Sequence, residues 1–177
     1  KRRWSYACSK ALDEFLALAH WHESRLPVVI VRLFNTVGPR QTGQYGMVIP
    51  TFVRQALAGR DITVFGDGEQ ARCFAHVADV SRCLIELMKC PAARGAVVNI
   101  GSDEEVTMTE LAERVKAVTE SQSDVVYIPY EKAYGEGFDD MRRRVPSLEK
   151  VARLVDYKPT KSLNAILKDV AAHESRP

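Results

Sequence analysis

Val28-Val29-Ile30-Val31-Arg32-Leu33-Phe34 is the stretch that decides the fold class. It is rich in β-branched residues, of strand length, and lacks the polar–apolar alternation of a strand with one wet face. Such continuity predicts a strand buried on both faces, as in a parallel sheet covered by helices. The flanks agree. Upstream, Ala11, Leu12, Phe15, Leu16 and Ala19 recur at helical spacing and predict a helix over 4–23, which Pro27 ends. Downstream, Asn35 to Gly46 is rich in Asn, Gly, Gln and Thr and contains Gly38-Pro39, so it reads as loop.

The alternation continues along the chain. Pro50 to Ala58 predicts a helix with Pro in its first turn. Ile62 to Phe65 predicts a short strand, closed by the turn Gly66-Asp67-Gly68. Asp79 has the position of an N-cap for a helix reaching Lys89. Val97 to Ile100 and Val125 to Ile128 read as strands. Between them, Thr107 and Glu110 form a capping box for a helix to about Thr119. Residues 130–146 read as irregular, and helices around 147–154 and 162–172 close the chain. This order predicts α/β architecture with a mainly parallel sheet. Four short strands make a poor sheet alone, and the chain opens on Lys1, directly inside a helical pattern. The expectation is a part of a larger protein, with sheet partners upstream.

Composition narrows the function classes. The 177 residues hold 25 Lys and Arg against 23 Asp and Glu, a net charge of +2. That balance is not the basic footprint of a nucleic-acid binder. No run approaches the roughly 20 apolar residues of a membrane helix. Neither nucleic acid nor membrane is expected as a partner. The four cysteines show no CxxC spacing and read as reduced thiols of a cytoplasmic protein. Cys73 and His76 lie three apart, but no second pair has metal spacing, so no metal is expected.

Tyr6-Ala7-Cys8-Ser9-Lys10 places a Tyr and a Lys four apart on one helix. Four residues turn a helix by about 400°, so both side chains leave the same face. A free phenol, with a pKa of about 10, is a poor base at neutral pH; a nearby ammonium lowers that value. Such a pair can exchange a proton with a sugar hydroxyl. The plain alternative is a surface Tyr beside a Lys10–Glu14 pair.

Longer blocks change the balance. The Tyr6–Lys10 helix is followed by Arg32-Leu33-Phe34-Asn35-Thr36-Val37-Gly38-Pro39-Arg40. Further on come Ile62-Thr63-Val64-Phe65-Gly66-Asp67-Gly68-Glu69-Gln70-Ala71-Arg72-Cys73-Phe74-Ala75-His76-Val77-Ala78-Asp79, then Asn99-Ile100-Gly101, then Arg142-Arg143-Arg144-Val145-Pro146-Ser147. In this order the blocks resemble the C-terminal half of the extended short-chain dehydrogenase/reductase family, the NAD-dependent nucleotide-sugar epimerases, dehydratases and decarboxylases. Ser147 departs from that pattern, which usually has Asp there. The resemblance implies a fold: the C-terminal part of a Rossmann-like doubly wound parallel sheet plus a smaller α/β substrate-binding domain. Residues 1–38 would be the tail of the NAD-binding domain. Residues 39–177 would mostly bind substrate, with about 61–90 returning to the first domain. The family's Gly-rich phosphate turn is absent from these 177 residues and is expected upstream.

Roles follow from the same resemblance. Tyr6 would be the acid/base on the sugar hydroxyl, and Lys10 would hold the nicotinamide ribose of NAD. Asn35, Arg72 and Arg144 would bind the diphosphate of a UDP-sugar. Guanidiniums suit that task, being always charged and able to form paired bonds to phosphate oxygens. Phe65 would stack on the base, and Val48 and Ile49 would line its pocket. Which of Arg142 to Arg144 faces the ligand stays open, since the cluster could instead pair with Asp139 and Asp140. Residues 130–140, including Glu136 and Gly137, are expected to loop over the sugar. His76 and Asp79 are expected to be structural. The implied activity is UDP-sugar 4-epimerisation through a transient keto-sugar, with UDP-glucuronate decarboxylation or sugar 4,6-dehydration as alternatives. A homodimer through the helix at 4–23 is also implied. The reading of another class is a non-catalytic nucleotide-sugar-binding fragment without an NAD site. The reading frame upstream of Lys1 separates the two, and Tyr6→Phe tests the acid/base role: in the protein expressed from its natural reading frame, turnover falls about 10²–10⁴-fold. A loss of only a few-fold removes Tyr6 from the acid/base role.

Overall fold

The computed structural model describes residues 2–42, 47–135 and 140–176. Expectations placed on residues 43–46 and on Glu136 to Asp139 lie outside them. The first helix is α1 (Arg2–Ser24), followed by β1 (Ile30–Leu33), β2 (Thr36–Val37) and α2 (Val48–Leu57). Three strands come next, β3 (Ile62–Phe65), β4 (Ala71–Cys73) and β5 (Ala75–His76), then α3 (Val77–Lys89). A single 3₁₀ turn at Pro91–Ala93 leads to β6 (Val97–Ile100), β7 (Glu105–Thr107) and α4 (Met108–Thr119). The chain ends with β8 (Val125–Ile128), α5 (Tyr130–Tyr134), β9 (Arg143–Arg144), α6 (Glu149–Val155) and α7 (Leu163–Glu174).

The strands pair mainly in parallel, as the βα alternation requires. β1 pairs with β6, β2 with β5, β3 with β8, and β4 with β9, all parallel. The pairing of β4 with β7 is antiparallel. Helix starts follow local chemistry. Thr107 and Glu110 form the expected capping box, with both side-chain-to-backbone bonds at 3.1 Å. Ser162 caps α7 in the same way by accepting from Ala165 N–H.

Two apolar cores result. One gathers Val98 and Ile100 of β6, Val80, Cys83 and Leu87 of α3, and Val151 and Tyr157 beyond. The other gathers Ile49, Phe52 and Val53 of α2, Ile62 and Val64 of β3, Leu111 and Val115 of α4, and Leu163, Ile166, Leu167 and Val170 of α7. The α7 residues recur at i, i+3, i+4 and i+7, one helical stripe wholly inside.

Four expectations differ. The Val28–Phe34 run was expected to be buried on both faces. Its paired part is Ile30–Leu33, in which Arg32 and Leu33 are exposed. Arg32 reaches back to α1 and grips the Glu14 carboxylate through two 2.7 Å bonds, which is why a charged residue sits in an apolar run. Glu14 is thereby unavailable to Lys10, which bonds Asp13 at 2.8 Å. On α1 the stripe of Leu12, Phe15 and Leu16 is exposed, whereas Glu14, Ala17, Leu18 and Trp21 form the half-buried side. Residues 130–146 are not all irregular, since they contain α5 and β9.

Asp79 is the fourth. It is not the N-cap of α3. His76 is, its Nδ1 accepting from Ala78 N–H at 3.1 Å, with Nε2 3.4 Å from the Asp169 carboxylate of α7. Asp79 lies one turn in and is 1% exposed. Its oxygens accept from Thr160 N–H (2.8 Å), the Thr160 hydroxyl (2.6 Å) and Lys161 N–H (3.2 Å), and Arg82 lies 3.0 Å away. The carboxylate therefore ties the segment leading into α7 to α3. Burial pushes its pKa up, but the Thr160 and Lys161 bonds and the Arg82 charge outweigh it, and the net shift is downward. A depressed folded-state pKa contributes stability above the unfolded value of about 3.9, and that contribution disappears as pH falls through the folded value. Asp79→Ala is expected to cost about 2–4 kcal/mol by leaving two backbone N–H groups without acceptors. Denaturant melts at pH 7 and in the acid range check both: the variant is less stable at pH 7, and its deficit shrinks in acid.

Candidate functional site

β4 and β9 pair so that Arg72 stands directly beside Arg144. Neighbours in a parallel ladder project to the same side, whereas Arg143 points to the other. Arg144 therefore enters a cavity, and Arg143 turns outward to form a bidentate pair with Glu105 at 2.9 Å. Arg142 bonds Asp67 across the Gly66–Gly68 turn. Of the three arginines, Arg144 is the one on the cavity wall.

The cavity is about 280 Å³ and is also lined by Asn35, Val48, Phe65, Gln70, Tyr130 and Asp140. Asn35 follows β1, and Phe65 ends β3, so both sit at the carboxyl edge of parallel strands, where open α/β sheets bind ligands. Asn35 Nδ2 donates to Cys73 O at 2.8 Å, and its Oδ1 accepts from Arg144. The guanidinium of Arg144 also lies 5.6 Å from the centre of the Phe34 ring. Arg72 Nη1 donates to Ala71 O and Met141 O, while Nη2 lies 2.9 Å from Asp140 Oδ1.

The site residues named from sequence thus fall into three groups. Asn35, Val48, Phe65, Arg72 and Arg144 are brought together around one cavity. Ile49 is not on its wall; it is completely buried in the core beneath, because the helical turn that exposes Val48 directs its neighbour inward. Tyr6 and Lys10 lie on α1 and do not line the cavity. Both are exposed, with Lys10 Nζ 5.9 Å from the centre of the Tyr6 ring. The Asp13 hydrogen bond raises the Lys10 pKa, so the ammonium stays charged.

Tyr130 and Asp140 were expected only as the bounds of a loop over the sugar, with Asp140 an alternative partner of Arg142 to Arg144; no motif or spacing tied Asp140 to Arg72, which it meets at 2.9 Å. The Tyr130 hydroxyl donates to Asp140 Oδ2 at 3.2 Å. Burial, reinforced by Asp140, pushes this phenol up to about 12, so it remains a neutral donor. Gln70 carried a signal, its place in the Gly66–Asp79 block, but no assigned role. It bonds Phe65 O at 2.8 Å and holds the end of β3 against the turn.

A model of the NAD dependent epimerase/dehydratase family matches residues 1–101. The chain belongs to that family. It is 41% identical over 170 residues to a UDP-N-acetyl-alpha-D-glucosaminuronate decarboxylase of Bacillus cytotoxicus, which covers 96% of this chain and 52% of that protein. A solved epimerase of Methanothermobacter thermautotrophicus superposes with a TM-score of 0.84 at 30% identity, over 92% of this chain and 47% of the other. A dTDP-glucose 4,6-dehydratase of Bacillus anthracis, solved in complex with NAD, superposes at 0.83 and 27% identity, over 95% and 51%. The chain thus spans about half the length of the proteins it matches. Its fold is the Rossmann-type architecture of this NAD-dependent epimerase/dehydratase family.

The Tyr130 wall of the family member's cavity depends on Gly66. A Cβ at Gly66, whose φ is +77°, would lie 2.4 Å from the Tyr130 ring. Gly59 has a similar φ of +61° with nothing within 4 Å of the same position. Left-handed backbone alone costs a non-glycine residue about 1–2 kcal/mol. Gly66→Ala is therefore expected to lower the melting temperature by more than Gly59→Ala does. Equal shifts in a thermal melt would show that Tyr130 does not press on the turn.

Proposed function

We propose that the protein carrying this chain binds a UDP-sugar in the Arg72–Arg144 cavity and decarboxylates a UDP-uronate. The observation that carries the binding reading is the pairing of two guanidiniums in direct register, facing one cavity that also holds the Phe65 ring. A diphosphate offers four or more oxygens to two such forks, and a flat base offers a face to an aromatic ring. The 41% relative favours decarboxylation over the 4-epimerisation implied by the motifs alone.

Within this reading Arg72 and Arg144 bind the diphosphate, and Asn35 orients Arg144 by accepting from it. Phe65 and Val48 take the base. The exposed phenol and ammonium on one face of α1 have the chemistry to meet a ribose and a sugar hydroxyl, so they fit the NAD the family uses. When bound, NAD supplies the hydride acceptor for a sugar carbon. Tyr6 moves the proton of the sugar hydroxyl, and Lys10, which stays charged, holds the ribose. Residues near the amino terminus, together with the core of β1, β6, α3 and α6, would belong to the cofactor domain. The core of α2, β3, α4 and α7 would belong to the substrate domain. The exposed stripe of Leu12, Phe15 and Leu16 supports a homodimer through α1.

The test is an assay of the natural protein with NAD against UDP-glucuronate, UDP-N-acetylglucosaminuronate and UDP-glucose. Release of carbon dioxide from a uronate is expected. Interconversion at C4 without carbon dioxide would select the epimerase instead. Arg72→Ala is expected to weaken UDP binding by about 10–100-fold while NAD affinity stays unchanged. Equal UDP affinity would remove the cavity from the nucleotide-binding role.

A further inference from the structure

Arg72 and Arg144 share the cavity, and Arg72 carries an internal anionic partner there. The Asn35 oxygen that accepts from Arg144 is neutral. Arg72 faces a full carboxylate, that of Asp140, at 2.9 Å, and the two side chains are only 11% and 15% exposed. Asp140 is itself held. Its Oδ2 accepts from the Tyr130 hydroxyl at 3.2 Å and its Oδ1 from Met141 N–H at 2.9 Å. A carboxylate bound by a guanidinium, a neutral phenol and a backbone N–H has the coordination expected of an anion bound from solution. The remaining donor of this guanidinium with assigned bonds, Nη1, serves Ala71 O and Met141 O, which fix its plane.

We propose that Asp140 is an affinity-determining residue of the cavity, an internal anion that occupies the face of Arg72 which the ligand's diphosphate takes. This rests on the nucleotide-sugar reading above. Two anions cannot share that face in a half-dry cavity without strong repulsion. The diphosphate binds Arg72 as the Asp140 carboxylate leaves it and gives up its bond from the Tyr130 hydroxyl. The carboxylate thus keeps Arg72 neutralised and ordered between ligands. It also sets a threshold that a diphosphate passes and an uncharged nucleoside does not engage.

The proposal predicts the sign of a substitution. Asp140→Asn keeps the size and an acceptor oxygen but removes the competing charge. Titration calorimetry with UDP on the natural protein is expected to show about tenfold tighter binding in the variant. Uridine, which has no phosphate, should bind both proteins equally. Tyr130→Phe, which removes only one bond holding Asp140, should tighten UDP binding by a smaller factor. If Asp140→Asn fails to fold, that variant alone decides. Unchanged or weaker UDP binding in a folded variant, with wild-type binding intact, would make Asp140 a support for Arg72 rather than its competitor and would overturn the proposal. Absence of UDP binding to the wild type would overturn the nucleotide-sugar reading itself, and this proposal with it.

Discussion

The register of a three-residue strand governs the candidate site. β4 is gripped on one edge by β7 and on the other by β9, so Arg72 cannot slide relative to Arg144. The β7 side is held at its far end by the Thr107 capping box, which starts α4 in the second core. A slip of one residue in β9 would turn Arg144 outward and bring Arg143 into the cavity. Two cations set side by side in a half-buried space repel each other, and the fold compensates them locally. Asp140 meets Arg72, while Asn35 and the face of Phe34 meet Arg144. Those partners come from distant parts of the chain, so the cavity exists only when the sheet segments have assembled.

Assembly depends on similar long-range polar ties between the two apolar cores. Asp79 on α3 holds the backbone that enters α7, and His76 at the start of α3 faces Asp169 of α7. α3 packs in one core and α7 in the other. A buried carboxylate is costly unless its oxygens are filled, and here they are, which makes the tie specific as well as strong. The cavity residues arise where strand ends from both cores converge. This explains why Asn35, next to β1, can touch Arg144 from β9.

The similarity to known proteins runs over half of each of them and includes a decarboxylase, an epimerase and a dehydratase. Likeness over this half therefore shows the family and the fold and does not single out the bond finally broken. The site has the same emphasis. Its two guanidiniums face one cavity, and its titratable phenol, Tyr130, is held neutral rather than poised to ionise.

Much of the fold was legible in the residues alone. β-Branched runs, the Thr107–Glu110 box and the helical spacing of Ala11 to Ala19 in α1 are local signals, and each produced the element it announced. The resemblance likewise pointed to Asn35, Val48, Phe65 and Arg72, which line one cavity, and left open which of Arg142 to Arg144 joins them. What the sequence could not decide was pairing. β2, β4, β5, β7 and β9 are two or three residues long, too short to carry a periodic pattern, and they exist because a partner strand lies alongside. The choice of Arg144 over Arg142 and Arg143 follows from ladder register. The burial of Asp79 follows from the approach of Thr160, and that of Ile49 from its side of α2. The roles of Tyr130 and Asp140 follow from a contact with Arg72 across about seventy positions of chain. Sequence by itself determined which chemical groups this protein carries and which local elements hold them. Only the tertiary structure decided which charges meet, because electrostatic and hydrogen-bond partners are set by distance in space and not by distance along the chain.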